Sequence, residues 1–247
     1  MNSILITGCN RGLGLGLVKA FNSLPEPPQH LFTTCRNLEQ ATELNDLAKK
    51  HSNIHVLEID LKNFDEYEKL VGKIADITKD AGLNVLFNNA GIATKSVRIG
   101  ATKQQDLLDT LQTNTVAPIM LAKSCLPLLK KASLVNEARG MGVNRAAIIN
   151  MSSILGSIQL NADGGMYAYR TSKAALNAAT KSMSIDLRDQ KILCVSLHPG
   201  WVRTDMGSNN APLEVATTTK QIVDTICKLN ESHNGGFYQY DGAQLPW

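Results

Sequence analysis

Tyr169 and Lys173 stand four residues apart in the stretch Tyr-Arg-Thr-Ser-Lys, the most chemically informative spacing in the chain. On a helix, positions i and i+4 share one face a turn apart, so an ammonium can stand close to a phenol. A free phenol ionises near pH 10 and is a poor acid or base at neutrality. A cation about 4 Å away, at an effective dielectric of about 20, favours the phenolate by about 4 kcal/mol, or about three pKa units. A shift of that size brings Tyr169 into the working range of a proton donor. The same spacing also arises on ordinary amphipathic helices, so the pair acquires meaning only from the elements that hold it.

Short β-branched or apolar runs alternate with longer segments of helical period, the pattern of a parallel sheet covered on both faces. The pattern predicts strands at 3–7, 30–35, 54–58, 84–87, 146–151 and 192–197, with a last short one near Phe237. Helices are predicted at 12–23, 38–50, 64–79, 104–131, 166–189 and 212–229. This order is that of a doubly wound (Rossmann) α/β sheet of about seven strands, whose ligands lie at the carboxyl ends of the strands. Residues 133–145 read as an exposed loop, and 161–165 (Asn-Ala-Asp-Gly-Gly) as a turn-rich insert beside the Tyr169 helix.

At 247 residues, with no proline- or glycine-rich linker, the chain reads as one domain spanning 1–247. The net charge of +3 is spread thinly, without the basic, aromatic-interleaved cluster of a nucleic-acid surface. Five cysteines, Cys9, Cys35, Cys125, Cys194 and Cys227, form no Cys-x-x-Cys pair, read as reduced core residues, and imply no metal site. The first apolar run leads straight into a glycine turn, leaving no room for a signal peptide, and no run approaches the about 20 residues that span a bilayer. A cytoplasmic protein with no membrane association is expected.

The first strand runs into Thr7-Gly8-Cys9-Asn10-Arg11-Gly12-Leu13-Gly14 and then a helix. Glycines there let the backbone approach a pyrophosphate, and the helix N-terminus attracts its charge. The spacing is Gly-x-x-x-Gly-x-Gly, unlike the usual dinucleotide fingerprint. At the end of the second strand an acidic residue would accept the ribose hydroxyls of NAD, but the chain has Arg36, which suits a 2′-phosphate. Arg11 is the second candidate cation, and the two together favour NADP(H) over NAD. Asp60, followed by Leu61, stands after the third strand, where a carboxylate either accepts from an adenine amine or caps a helix.

Thr7-Gly8-x-x-x-Gly12-x-Gly14, Asn88-Asn89-Ala90-Gly91, Asn114, Ser153, Tyr169-x-x-x-Lys173 and Pro199-Gly200 occur in that order. Over essentially its whole length the chain therefore resembles the short-chain dehydrogenase/reductase family. Its text around Ser153 and Pro199 looks most like the sniffer-type carbonyl reductases of insects. The resemblance implies an NADPH-dependent reductase of aldehydes or ketones. It implies that Asn89, Ala90 and Gly91 support the adenine ribose, although turn geometry alone would also use them. It gives Asn114 a water that connects Lys173 to solvent. Ser153, with Ser152 as its close rival, would bond the substrate carbonyl. Pro199, Gly200, Val202 and Thr204 would bind the nicotinamide carboxamide.

One departure is that Ser153 and Tyr169 are sixteen residues apart where family members commonly show thirteen. The 161–165 turn can absorb the extra three. Tyr167 cannot replace Tyr169, because its i+4 partner is the uncharged Thr171. On this reading Tyr169 donates a proton to a small-molecule carbonyl substrate, Ser153 polarises it, and Lys173 holds the nicotinamide ribose and lowers the Tyr169 pKa. The alternatives are an NAD-dependent alcohol or hydroxysteroid dehydrogenase, which Arg36 opposes, and a non-catalytic NADP-sensing protein, which would not need all four candidates. Ile92, Ile154, Met166, Trp201 and Met206 are expected to flank an open apolar pocket, or else to pack in the core. Ala174, Ala175, Ala178 and Ala179 permit close helix packing, either against the sheet or in a homodimer.

Overall fold

Seven short apolar runs pair into one sheet in which every neighbouring pair is parallel. The structure, a computed structural model, describes residues 1–94 and 98–247. The strands are β1 (Ser3–Ile6), β2 (His30–Cys35), β3 (Ile54–Glu58), β4 (Val85–Asn88), β5 (Ala147–Met151), β6 (Leu193–His198) and β7 (Phe237–Gln239). The helices are α1 (Gly12–Asn22), α2 (Thr42–Lys50), α3 (Tyr67–Thr78), α4 (Gln104–Leu111), α5 (Ala117–Val135), α6 (Tyr167–Asp186) and α7 (Val215–Ile226). The order across the sheet is β3-β2-β1-β4-β5-β6-β7. The chain thus winds outward from β1 in one direction and from β4 in the other, opening a crevice at the carboxyl ends between them.

Alternation along the strands divides the core in two. Ile4, Ile6, Val85, Phe87 and Ile149 point to one face, where Leu17, Phe21, Ile222 and Ile226 of α1 and α7 cover them. Leu5, Leu86 and Ile148 point to the other, beneath Leu70, Ile74, Leu121, Cys125 and Leu129 of α3 and α5. Burial on both faces explains why these strands read as continuous apolar runs.

Several boundaries depart from the sequence expectation for local reasons. Turns at 37–41, in which Asn37 Oδ1 accepts from the Gln40 N–H, delay α2 until Thr42. The predicted helix 104–131 is two α-helices joined by a π-helical turn at Gln112–Val116. Residues 133–145 are not simply an exposed loop. Ser133 lies within α5, Met141 and Val143 are in the core, and Arg145 knits the segment by donating to Ser133 Oγ and to the carbonyls of Glu137 and Arg139. Met166 is not helical but stands just before α6 in the left-handed region, following Gly164 and Gly165 in the same region. Four of the five free cysteines are buried, while Cys227 is exposed. Ala174, Ala175 and Ala179 are half-buried and Ala178 is exposed.

Asn84 closes the amino-terminal end of the sheet: its Oδ1 accepts from the backbone of Asn2 and Ser3, each at 3.0 Å, and its Nδ2 donates to the Arg145 carbonyl at 2.9 Å. Asn84→Ala leaves these buried groups without partners, at a cost of about 2 kcal/mol or more. Thermal unfolding should register a fall in Tm of at least about 4 °C; an unchanged Tm would show that water replaces the amide.

Candidate active site

The strand β5 ends at Met151, and its carbonyl accepts from Lys173 Nζ at 2.7 Å. Lys173 is 3% exposed. The ammonium lies 5.8 Å from the centroid of the Tyr169 ring, so the two side chains share one side of α6 as their spacing requires. The short 3-10 turn Ile154–Gly156 packs directly on α6. A Cβ on Gly156 would lie 2.8 Å from the Lys173 carbonyl carbon, so only glycine allows this approach. That contact sets Ser153, the residue before the turn, beside Tyr169.

The two adjacent serines are distinguished by their partners. Ser152 donates to Asn177 Oδ1 at 2.6 Å and is committed to holding α6. Ser153 Oγ accepts from the Leu155 N–H at 3.2 Å, which leaves its own hydrogen free to donate.

Burial disfavours both charged forms. It pushes the Tyr169 phenol above its ordinary pKa, with the Ser153 hydroxyl working in the opposite direction. It draws the Lys173 ammonium down to about 8. The expectation that Lys173 would lower the Tyr169 pKa is thus corrected: with Nζ turned to Met151, desolvation outweighs the attraction. Tyr169 is a protonated acid at neutral pH, and Lys173 remains mostly cationic. His198, buried at the end of β6, is drawn down to about 4, so it is neutral and offers no rival acid.

Asn114 sits fully buried in the π-helical turn. Its Oδ1 accepts from the Ile92 N–H at 2.8 Å, and its Nδ2 donates to the Ile92 carbonyl at 2.8 Å and to Ser172 Oγ at 3.0 Å. Thr115 Oγ1 donates to the Ser172 carbonyl, and Ser172 Oγ donates to that of Tyr169. The turn is thereby docked on the Tyr169–Lys173 stretch. Pro118, four residues after Asn114, has no N–H to offer the Asn114 carbonyl, and an α-helical ladder slips where such a donor is missing.

The crevice encloses about 320 Å³. Its wall includes Gly8, Arg11, Gly12, Leu13, Gly14, Arg36, Asp60, Leu61, Asn89, Ala90, Gly91, Tyr169, Lys173, Pro199 and Thr204 of the sequence candidates. A Cβ at Gly14 would lie 2.0 Å from the Gly8 carbonyl oxygen, and Gly8 and Gly12 have positive φ. At the start of α1, Arg11 makes no side-chain cap and no acidic residue occupies the first turn, so the amide ends stay open to an anion. Asn89 Nδ2 donates to the Thr7 carbonyl and fixes the glycine turn to β4. Gly200 and Val202 lie outside the wall. Gly200, at φ +81°, is pressed between Leu213 and the Tyr240 ring, and Val202 is buried in a bridge to Leu213. Ser153 and Asn114 are not among the residues that line the crevice, and Ser153 stands beside Tyr169, which does.

This arrangement fits a dinucleotide phosphorylated on its adenosine ribose: open helix amides, glycines at close approach, and two arginines with no carboxylate at the end of β2. A family model described as short chain dehydrogenase matches residues 2–214. The chain belongs to the short-chain dehydrogenase family. Its structure is similar to the carbonyl reductase Sniffer of D. melanogaster, 75% identical over all of both chains with a TM-score of 0.99. It is also similar to an NADPH-bound carbonyl reductase from chicken fatty liver, 38% identical over 100% of this chain and 99% of that one, TM-score 0.94. A carbonyl reductase of Pseudomonas aeruginosa in complex with NADP is 27% identical over all of both chains, TM-score 0.78.

This short-chain dehydrogenase also carries crevice residues that sequence reasoning missed. Thr34 Oγ1 accepts from the Gly8 N–H at 3.2 Å and shapes the glycine turn. Asp205 lines the crevice and pairs with Arg11 at 2.9 Å; its position just after Thr204 was the available signal. Ile92 and Met206 reach the wall, but Ile154, Met166 and Trp201 do not, and Trp201 is 55% exposed.

Lys173 has a folded pKa of about 8 against 10.5 for the free side chain. Between those values the unfolded chain binds a proton that the folded chain has released, so this group makes stability rise with pH across that window. Lys173→Met should lose that rise. Urea unfolding at about pH 7.5 and about pH 9.5 measures it, and an equal rise in both proteins would mean the lysine is not desolvated.

Proposed function

We propose that the protein is an NADPH-dependent carbonyl reductase acting on small aldehydes or ketones. The observation that carries this reading is a half-buried phenol, Tyr169, held beside a buried ammonium in a crevice bordered by open helix amides and two arginines.

The Gly8–Gly14 turn would hold the pyrophosphate, Arg36 and Arg11 the 2′-phosphate, and Asp60 with Leu61 the adenine. Asn89, Ala90 and Gly91 would support the adenine ribose. Tyr169 and Lys173 would hold the nicotinamide ribose, and Pro199 and Thr204 would border the nicotinamide. When bound, NADPH supplies the hydride for the carbonyl carbon.

The chain's own residues manage the oxygen. Ser153, oriented by the Leu155 N–H that its oxygen accepts, donates its hydrogen to the carbonyl oxygen and favours the charge that builds there. Tyr169 gives its proton to the same oxygen. The raised phenol pKa keeps this proton on Tyr169 at neutral pH, and an alkoxide is a still stronger base that takes it downhill. Lys173 then stands next to the phenolate left behind and stabilises it. The Asn114 amide is saturated by Ile92 and Ser172, so its part in proton resupply falls to its backbone carbonyl, which Pro118 leaves without an α-helical donor.

The apolar side of the wall, Ile92 and Met206, favours unbranched or aromatic carbonyls over charged ones. All five cysteines are free, which supports a reducing compartment such as the cytoplasm. Among the described residues no helix is long and apolar enough to cross a membrane. The outward Ala178 and the exposed Ile185 of α6 support docking of a second copy along that helix.

NADPH oxidation across a panel of aldehydes, quinones and ketones tests the activity; no turnover of any carbonyl would refute it. Tyr169→Phe keeps the ring and removes the acid, so kcat should fall at least about a hundredfold while NADPH affinity barely moves. Near-normal turnover in that variant would remove Tyr169 from the mechanism. Arg36→Ala should weaken NADPH about tenfold more than NADH, as read by direct titration; equal weakening would place the 2′-phosphate elsewhere.

A further inference from the structure

We propose that Asp205 tunes cofactor preference by occupying Arg11: its carboxylate and the 2′-phosphate of a bound dinucleotide compete for one guanidinium. The inference rests on the NADPH reading above and concerns a residue outside the catalytic group.

Two arginines border the crevice, and their circumstances differ. Among the described residues Arg36 has no hydrogen-bond or ion-pair partner, whereas Arg11 Nη1 lies 2.9 Å from Asp205 Oδ2. Arg11 belongs to the turn between β1 and α1, and Asp205 to the segment after β6. A Cβ placed on Gly12 would lie 3.5 Å from Thr204 Cγ2, so the two segments nearly touch and the pair spans the crevice between them. Both residues line it.

The Asp205 segment does not depend on this pair for its shape. Arg203 donates to the Ala211 carbonyl through Nε at 3.2 Å and Nη2 at 3.1 Å, and pairs with Glu214. The Gly207 N–H bonds Thr204 Oγ1 at 3.1 Å, and the Leu213 N–H bonds the Trp201 carbonyl at 3.3 Å. Among the described residues the Asp205 carboxylate has no partner except Arg11, so its charge acts on the guanidinium and on little else.

The side chains of Arg11 and Asp205 are 69% and 76% exposed. A pair so wet is weak and readily exchanged. A ribose phosphate carries nearly two charges and three strong acceptors, so it displaces a single carboxylate. The exchange subtracts from NADPH binding the little that the pair was worth. NADH has no 2′-phosphate, leaves Arg11 where it is, and loses nothing. Asp205 therefore narrows the preference for NADPH by a small factor, about two- to fivefold for an exposed pair.

Calorimetric titration of NADPH and of NADH at one fixed ionic strength, on the unmodified protein, Asp205→Asn, Asp205→Glu, Arg11→Ala and the Arg11→Ala/Asp205→Asn double variant, tests this. Asp205→Asn should tighten NADPH about two- to fivefold and leave NADH unchanged. Asp205→Glu should keep the original ratio, and Asp205→Asn should give no gain in the Arg11→Ala background. An equal gain for both cofactors would mean that Asp205 acts on the shared pyrophosphate, and would overturn the proposal. So would weaker binding of both, which would make the pair a strap over the dinucleotide, or a gain that persists without Arg11. If the unmodified protein itself shows no preference for NADPH, the cofactor reading falls too. A clear preference combined with any of the failed outcomes overturns the role of Asp205 alone.

Discussion

Keeping the Lys173 ammonium out of water is the constraint around which the catalytic end is built. A buried cation is costly unless acceptors meet it, and here the Met151 carbonyl does so at the end of β5. Burial alone carries its pKa to about 8, so the cation persists at neutral pH with little to spare. The surrounding backbone must come close to exclude water. A Cβ at Gly91 would lie 3.2 Å from Asn114 Oδ1 and 3.6 Å from Lys173 Nζ, and one at Gly156 would collide with the Lys173 backbone. The glycines at these positions are therefore packing requirements of a desolvated charge rather than turn residues.

The same desolvation keeps Tyr169 protonated, where a dominant attraction to Lys173 would favour the phenolate. Were the phenol held as phenolate, it would have no proton to give. Burial keeps the proton in place, and the nearby cation would lower the cost of losing it to a substrate oxygen on the proposed reading. Ser153 adds a hydroxyl whose oxygen is oriented by the Leu155 N–H and whose hydrogen is free to donate. The 3-10 turn, the π-helical turn and β6 pack against α6, and the Lys173 bond ties that helix to the end of β5.

The doubly wound parallel sheet and the proximity of Tyr169 and Lys173 were legible in the sequence because both follow from strong local rules: continuous apolar runs for doubly covered strands, and i, i+4 spacing for the pair. Most of the crevice wall was legible for the same reason, since it falls at strand ends. What could not be read were effects that depend on partners distant in the chain. The break in the predicted 104–131 helix is written partly in Pro118, but the compensating bonds of Asn114 come from Ile92 and Ser172. Arg145 organises residues 133–145 through Ser133 and two backbone carbonyls, which hides a buried Met141 and Val143 inside a polar stretch. The sign of the Tyr169 shift was misread because sequence spacing reveals a neighbouring charge but not how much water has been excluded.

The two ends of the crevice obey different physics as a result. At the catalytic end the charges are buried, few and tightly packed, so each substitution there disturbs geometry and protonation together. The charges of Arg11, Arg36 and Asp205 are exposed, and screening limits the strength of each. The open backbone amides of the α1 N-terminus and the close approach that Gly8 and Gly14 allow would serve a pyrophosphate of NADH and NADPH alike. Cofactor preference is then a modest difference set by a few wet side chains, separable from a catalytic group 3% exposed beneath them.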